Sequence, residues 1–297
     1  MRHVTLTVFL ALAATGVGGR FAFATPFEAG VIPDQAQAVG HLDVDALRKT
    51  QVFAAAGGQA AIDKALDDAP TELRPIARAM VRAVRGVSFW RGADHGALYV
   101  ETRDSKVVAQ LLRKLPVKPA SSVDGYSTYT MEHDEHAGHV AAVGDTLVLA
   151  DSDESLEQSI HVLGGKAASL AGSNKLPVTN RQGVFVFVTI GDNLLGAIQK
   201  AAHSKMLQLA LRSVAVDVGE SGGLVTATAH AEMRSADAVQ KAKGILDGLH
   251  ALASFSDEPM VKTLLDGVTV TTNGLALEVV ARLPVADLTK VMHNHIK

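Results

Sequence analysis

The sequence predicts an α+β protein: two tandem pseudo-repeats, each an antiparallel sheet with helices packed on one face. Three observations carry this. Short apolar runs alternate with period two, and amphipathic stripes with helical spacing follow them. The same three landmarks then appear twice in the same order. A polar stretch from Ala171 to Pro177, Ala-Gly-Ser-Asn-Lys-Leu-Pro, separates the two series. The expected domains are a signal peptide at 1–24, a first repeat at 25–170, a linker at 171–177 and a second repeat at 178–297.

Each landmark has a local reason. The first is a strand running into a helix: Val39–Val44 leads into Ala46 and Leu47, and Val186–Ile190 leads into Leu194 and Leu195. Asp45 is expected to cap the first of these helices. The second is a hairpin followed by a helix. Arg85–Phe89 turns through Gly92–Gly96 and returns to Arg103, while Arg212–Val216 turns through Gly219–Gly223 and returns to Arg234. The helices after them carry Val107, Val108, Leu111, Leu112 and Leu115 in one copy, and Val239, Ala242, Ile245, Leu246 and Leu249 in the other. Both sets fall on one helical stripe expected to face the sheet. The third landmark is an Asp-Gly start, Asp124-Gly125 and then Asp266-Gly267, a meander and a closing helix. Asn273-Gly274 suits a two-residue turn, Asp151 with Glu154 suits a capping box, and Gly164-Gly165 ends the helix before it.

At the N-terminus, Arg2 and His3 precede an uncharged apolar run from Val4 to Gly19. Ala22-Phe23-Ala24 then supplies small residues at the positions a signal peptidase reads, and Thr25-Pro26 follows. The run has about 16 residues, short of the ~20 that span a bilayer. The expectation is cleavage after Ala24 and a periplasmic or extracellular protein without a transmembrane segment after signal removal.

Composition excludes several chemistries. The 297-residue chain is 47% apolar and 20% charged, enough for a sizeable core. It has no cysteine, which removes disulfides, thiolate nucleophiles and Cys-based metal sites. Without residues 1–24 it holds 26 basic and 31 acidic residues, with no cationic block to neutralise phosphates, so nucleic acid is not an expected partner. Aromatics make up 4%, too few for a base- or sugar-stacking platform.

Among candidate sites, Glu132–His139 is the densest polar cluster, and His133, His136 and His139 are the candidate ligands of a transition metal. Their spacing by three does not place all of them on one face of a strand. Gly219-Glu220-Ser221-Gly222-Gly223 resembles a hydrolase elbow and the nucleophile stretch of chymotrypsin-like proteases. An alternating strand follows it where an elbow needs a helix, so no catalytic Ser221 is expected. Arg74, Arg78 and Arg82 recur on one face of a helix expected over Glu72–Val84, read as a solvated face. No phosphate loop, dinucleotide fingerprint or calcium loop occurs. The functional expectation is an exported non-catalytic binding or scaffold protein with an unknown protein or small-molecule ligand. The alternatives are a metal-handling protein or metal-dependent hydrolase using the His133/His136/His139 cluster, and an apolar-ligand carrier.

Overall fold

In the computed structural model, residues 27–68, 71, 74–133, 136–173, 175–177, 183–201, 211–256 and 259–295 are described. The expected signal peptide and its cleavage point lie outside these residues. The chain divides into two compact units, one up to residue 174 and one from 175 onward. Both combine helices with an antiparallel sheet, as the patterning requires.

In the first unit the strands are β1 (Ala38–Asp43), β2 (Val84–Arg91), β3 (Gly96–Thr102), β4 (Val117–Val123), β5 (Tyr126–His133), β6 (His136–Val143) and β7 (Thr146–Ala150). Their order across the sheet is β1-β2-β3-β7-β6-β5-β4. Between β1 and β2 run helices α1 (Val44–Leu47), α2 (Gln51–Ala55), α3 (Gly58–Ala65) and α4 (Arg74–Ala83). Helix α5 (Ser105–Lys114) follows β3, and α6 (Asp153–Leu163) follows β7.

Caps decide where these helices start. Asp43, rather than Asp45, caps α1: its carboxylate accepts the Ala46 N–H at 2.8 Å. Asp45 is instead buried and ion-paired to Arg48 and Arg103, tying the first turn of α1 to the end of β3. Asp104 starts α5 by accepting the Lys106 N–H at 2.9 Å. At α6 the capping box is Ser152 with Ser155, not Asp151 with Glu154. The Asp151 carboxylate accepts the Gly96 N–H at 2.9 Å and the Ser155 hydroxyl at 3.2 Å, and it pairs with Arg91. A hydroxyl at the cap freed the acid to hold the hairpin below it.

Met80 of α4 and Val108 and Leu112 of α5 pack against Val100, Val140 and Leu147 of the sheet. Burying each such side chain contributes about 1.5–3 kcal/mol. The one-face expectation needs an addition here. Trp90 points to the opposite face by alternation, and its indole N–H donates to Ser159 of α6 at 3.3 Å. Helix α6 therefore covers the second face, and Trp90 is 1% exposed.

In the second unit β8 (Val184–Gly191) leads into α7 (Asp192–Ala201). A hairpin of β9 (Leu211–Ser221) and β10 (Leu224–Met233) leads into α8 (Ala236–Ser254) and α9 (Pro259–Asp266). Strands β11 (Val268–Asn273) and β12 (Ala276–Pro284) and helix α10 (Val285–His295) complete it. The strand order is β11-β12-β10-β9-β8. It matches β6-β7-β3-β2-β1 of the first unit position for position; β5 and β4 are the first unit's additions. This correspondence corrects the third landmark. Asp124-Gly125 is the turn inside the added β4–β5 hairpin, with both residues at positive φ. Asp266-Gly267 instead joins α9 to β11. The turn that answers Gly274-Leu275 is Gly144-Asp145, each with its glycine at φ near +60°.

Candidate functional site

The histidine cluster falls at the tip of the β5–β6 hairpin. His133 and His136 are cross-strand partners in the ladder, and His139 pairs with Thr130 further down. The side chains of His133 and His136 lie outside what the structure describes, as do Asp134 and Glu135. The His139 ring is 12% exposed, and its Nδ1 stands 2.7 Å from an Asp153 carboxylate oxygen at the start of α6. That nitrogen is out of line for a hydrogen bond. Among the described residues no three His, Asp or Glu side chains converge on a point where an ion would sit.

Ser221 ends β9, and Gly222 and Gly223 turn the chain at φ +60° and +77° directly into β10. No helix follows to support an oxyanion. A cavity of about 170 Å³ lies beside it, lined by Gly183, Asp217, Gly219, Glu220, Thr226 and Thr228 among others. Among these described residues it presents carboxylates and hydroxyls and no imidazole.

Sequence reasoning passed over a buried polar chain in the first unit. His41 on β1 and Ser88 on β2 are ladder partners, which sets His41 Nδ1 2.9 Å from Ser88 Oγ. Ser88 in turn reaches a Glu101 carboxylate oxygen on β3 at 3.4 Å. Gly86 leaves the room: a Cβ there would stand 3.3 Å from His41 and 3.4 Å from Glu101. Phe27 covers the imidazole edge-on, with ring centroids 5.8 Å apart. Burial pushes the Glu101 carboxyl up to about 7, against the pull of Arg85. The order is His–Ser–Glu with the hydroxyl in the middle, and Ser88 is 1% exposed. The only sequence signal was a histidine and a serine on inward-facing positions of neighbouring strands.

Two further expectations can be placed. Arg74, Arg78 and Arg82 lie on α4, and Arg78 and Arg82 pair with Asp67 and Asp63; Glu72, the expected start of this helix, lies outside the described residues. The α8 stripe is divided. Val239 and Ala242 are buried and Leu246 packs against them, but Ile245, Leu249, Leu252 and Phe255 are 40%, 56%, 70% and 83% exposed. These four recur every three or four residues along about 15 Å of helix. Lys241 pairs with Asp237 and Lys243 with Asp247, so the charges beside the stripe cancel.

Fold and site together define an α+β protein of antiparallel sheets that bears an exposed apolar helix stripe. Solved structures of TP0453 share this fold. Its crystal form III aligns at a TM-score of 0.51 and 10% identity over 92% of this chain and 100% of that one. Crystal form I aligns at 0.50 and 11% identity over 91% and 98%. At that identity the likeness shows the fold alone. No protein-family profile matches the chain, and no curated protein matches it.

Proposed function

We propose that this is an exported, non-catalytic binding protein whose ligand is neutral and apolar, of the acyl-chain type, held against the second half of α8. The carrying observation is the row Ile245, Leu249, Leu252 and Phe255, left facing solvent on a helix whose first half is well packed. Leaving one large apolar side chain in water forgoes about 1.5–3 kcal/mol, so four in register are a standing incentive to bind. Charge selects the partner. With neighbouring lysines already paired to aspartates, the surface offers no net attraction to an anionic headgroup or an acidic protein.

The test is titration of the mature protein, purified without detergent, with the neutral fluorophore N-phenyl-1-naphthylamine, alongside mass spectrometry of an organic extract. Saturable fluorescence gain, lost in Leu249→Glu/Leu252→Glu with unchanged far-UV dichroism, is the expected result. Equal fluorescence in that variant overturns the reading. Export predicts a mature N-terminus at Thr25 in native material, read by intact mass; a retained Met1 argues against it.

A second reading, transition-metal capture, is favoured by the cross-strand pairing of His133 with His136. Metal content of untagged protein before and after His136→Ala decides it; no retained metal removes it.

A further inference from the structure

The sheets of the two units end in strands of opposite character. In the first unit the outer strand is β4, and it is closed to further pairing. Pro119 has no N–H to offer, and the register slips between Pro119 and Ser122. The backbone of Ser121, inside that slip, is bonded through both N–H and C=O to the Thr128 hydroxyl. Lys118 adds a charge. These are the usual devices that stop a sheet from growing.

In the second unit the outer strand is β11, Val268-Thr269-Val270-Thr271-Thr272-Asn273, and it has none of them. It contains no charge and no proline, and it pairs with β12 over six residues without a slip. The Arg282 N–H donates to the Gly267 C=O at 2.9 Å. That fixes the alternation: Thr269, Thr271 and Asn273 direct their backbone groups to β12, while Val268, Val270 and Thr272 direct theirs outward. Among the described residues these outward groups meet no backbone partner.

The strand is also self-complementary. A two-fold axis through Val270 sets Val270 against its copy, Val268 against Thr272, and Thr269 against Thr271. The outward-facing residues then exchange hydrogen bonds with one another. Valines continue the apolar layer that Val270 already shares with α8, and threonine meets threonine on the other face, a favourable cross-strand pair. No like charges oppose each other within the strand.

We propose that β11 is a homodimerisation edge, joining two copies antiparallel about Val270 into one continuous sheet. The interface is isologous and closes on itself, which prevents open-ended growth. It is independent of the apolar stripe on α8. Six residues a side make a small interface, with a dissociation constant on the order of 10–100 μM.

Sedimentation velocity on the mature chain, from about 1 to about 200 μM, reads it directly. Wild-type protein shifts reversibly from monomer to dimer. Thr272→Pro removes an outward N–H and leaves the β12 ladder whole, and it weakens association about tenfold or more. The register has its own test. Thr269→Lys/Thr271→Lys and Thr269→Glu/Thr271→Glu each oppose like charges twice and stay monomeric, whereas their mixture forms heterodimers. A wild-type chain that is monomeric throughout overturns the proposal, including when β11 accepts a strand from another protein. So does association unaffected by the charged pairs, or a mixture that fails to dimerise. The charge swap keeps the test valid should Thr272→Pro misfold.

Discussion

Helices α5 and α8 occupy the same place in their units, directly after the β2–β3 and β9–β10 hairpins, yet they finish differently. Helix α5 has ten residues, and its apolar positions are all taken up: Val108 and Leu112 are buried, and Val107 and Leu111 pack against the same cluster. Helix α8 has nineteen, and only its first half meets the sheet. The sequence pattern of the two stripes is the same kind of pattern. The lesson is that amphipathic spacing specifies a face and not what covers it. Extra length carries the face past the end of its partner.

The largest test of that contrast compares two leucines. Leu112→Ala removes buried methyls and costs the first unit about 2–4 kcal/mol in urea unfolding, whereas Leu252→Ala changes stability by under about 0.5 kcal/mol. Trp90, the sole tryptophan, reads the first unit by fluorescence, and far-UV dichroism reads both units, so a loss at Leu252 would also be seen. Equal costs at both positions would break the comparison.

A second test uses the buried polar chain of the first unit. Folding raises the Glu101 carboxyl from the ordinary range to about 7, so the folded state holds a proton that the unfolded chain releases. The stability this confers is complete below the unfolded value near 4.5 and is lost as pH rises through about 7. Glu101→Gln should leave stability at pH 4 unchanged and raise it at pH 8 by on the order of 2 kcal/mol relative to wild type. Parallel pH profiles for the two proteins would contradict this origin.

Caps should show the two units behaving alike, which sharpens the contrast by isolating it to packing. Asp43→Ala and Ser235→Ala each remove a side-chain acceptor from a helix start and should each cost about 1 kcal/mol. The smallest effect is at Tyr99. Its hydroxyl is buried beside Ser159 and Trp90 without a well-aligned bond, and burial pushes its pKa up to about 12. Tyr99→Phe should therefore be neutral within about 0.5 kcal/mol or slightly stabilising by thermal melt.

Much of the architecture was legible from local pattern. Alternation located β1, the β2–β3 and β9–β10 hairpins and β8, and glycine pairs located Gly222-Gly223 because only positive φ closes that turn. Strand β4 was not anticipated: Lys118-Pro119-Ala120-Ser121-Ser122 has no apolar alternation, and it joins the sheet only because β5 is there to receive it. Missing it shifted the alignment of the last landmark by one hairpin. The caps fall two positions before Asp45, at Asp43, and one after Asp151, at Ser152, since acids and hydroxyls close together all satisfy the same rule. At the sites, the sequence identified the histidine cluster by density alone, and it passed over His41, Ser88 and Glu101, which lie tens of residues apart and meet only through ladder register.

What the sequence determined by itself was whatever depends on neighbours along the chain: the α+β class, the order of strands and helices, the absence of cysteine chemistry and the lack of a local catalytic motif. Tertiary structure alone decided which apolar stripe is covered, which strand ends a sheet open or closed, and which polar groups share the dry interior. Those properties depend on distance through space, and a stripe, an edge or a carboxyl carries no local mark of what the folded chain brings against it.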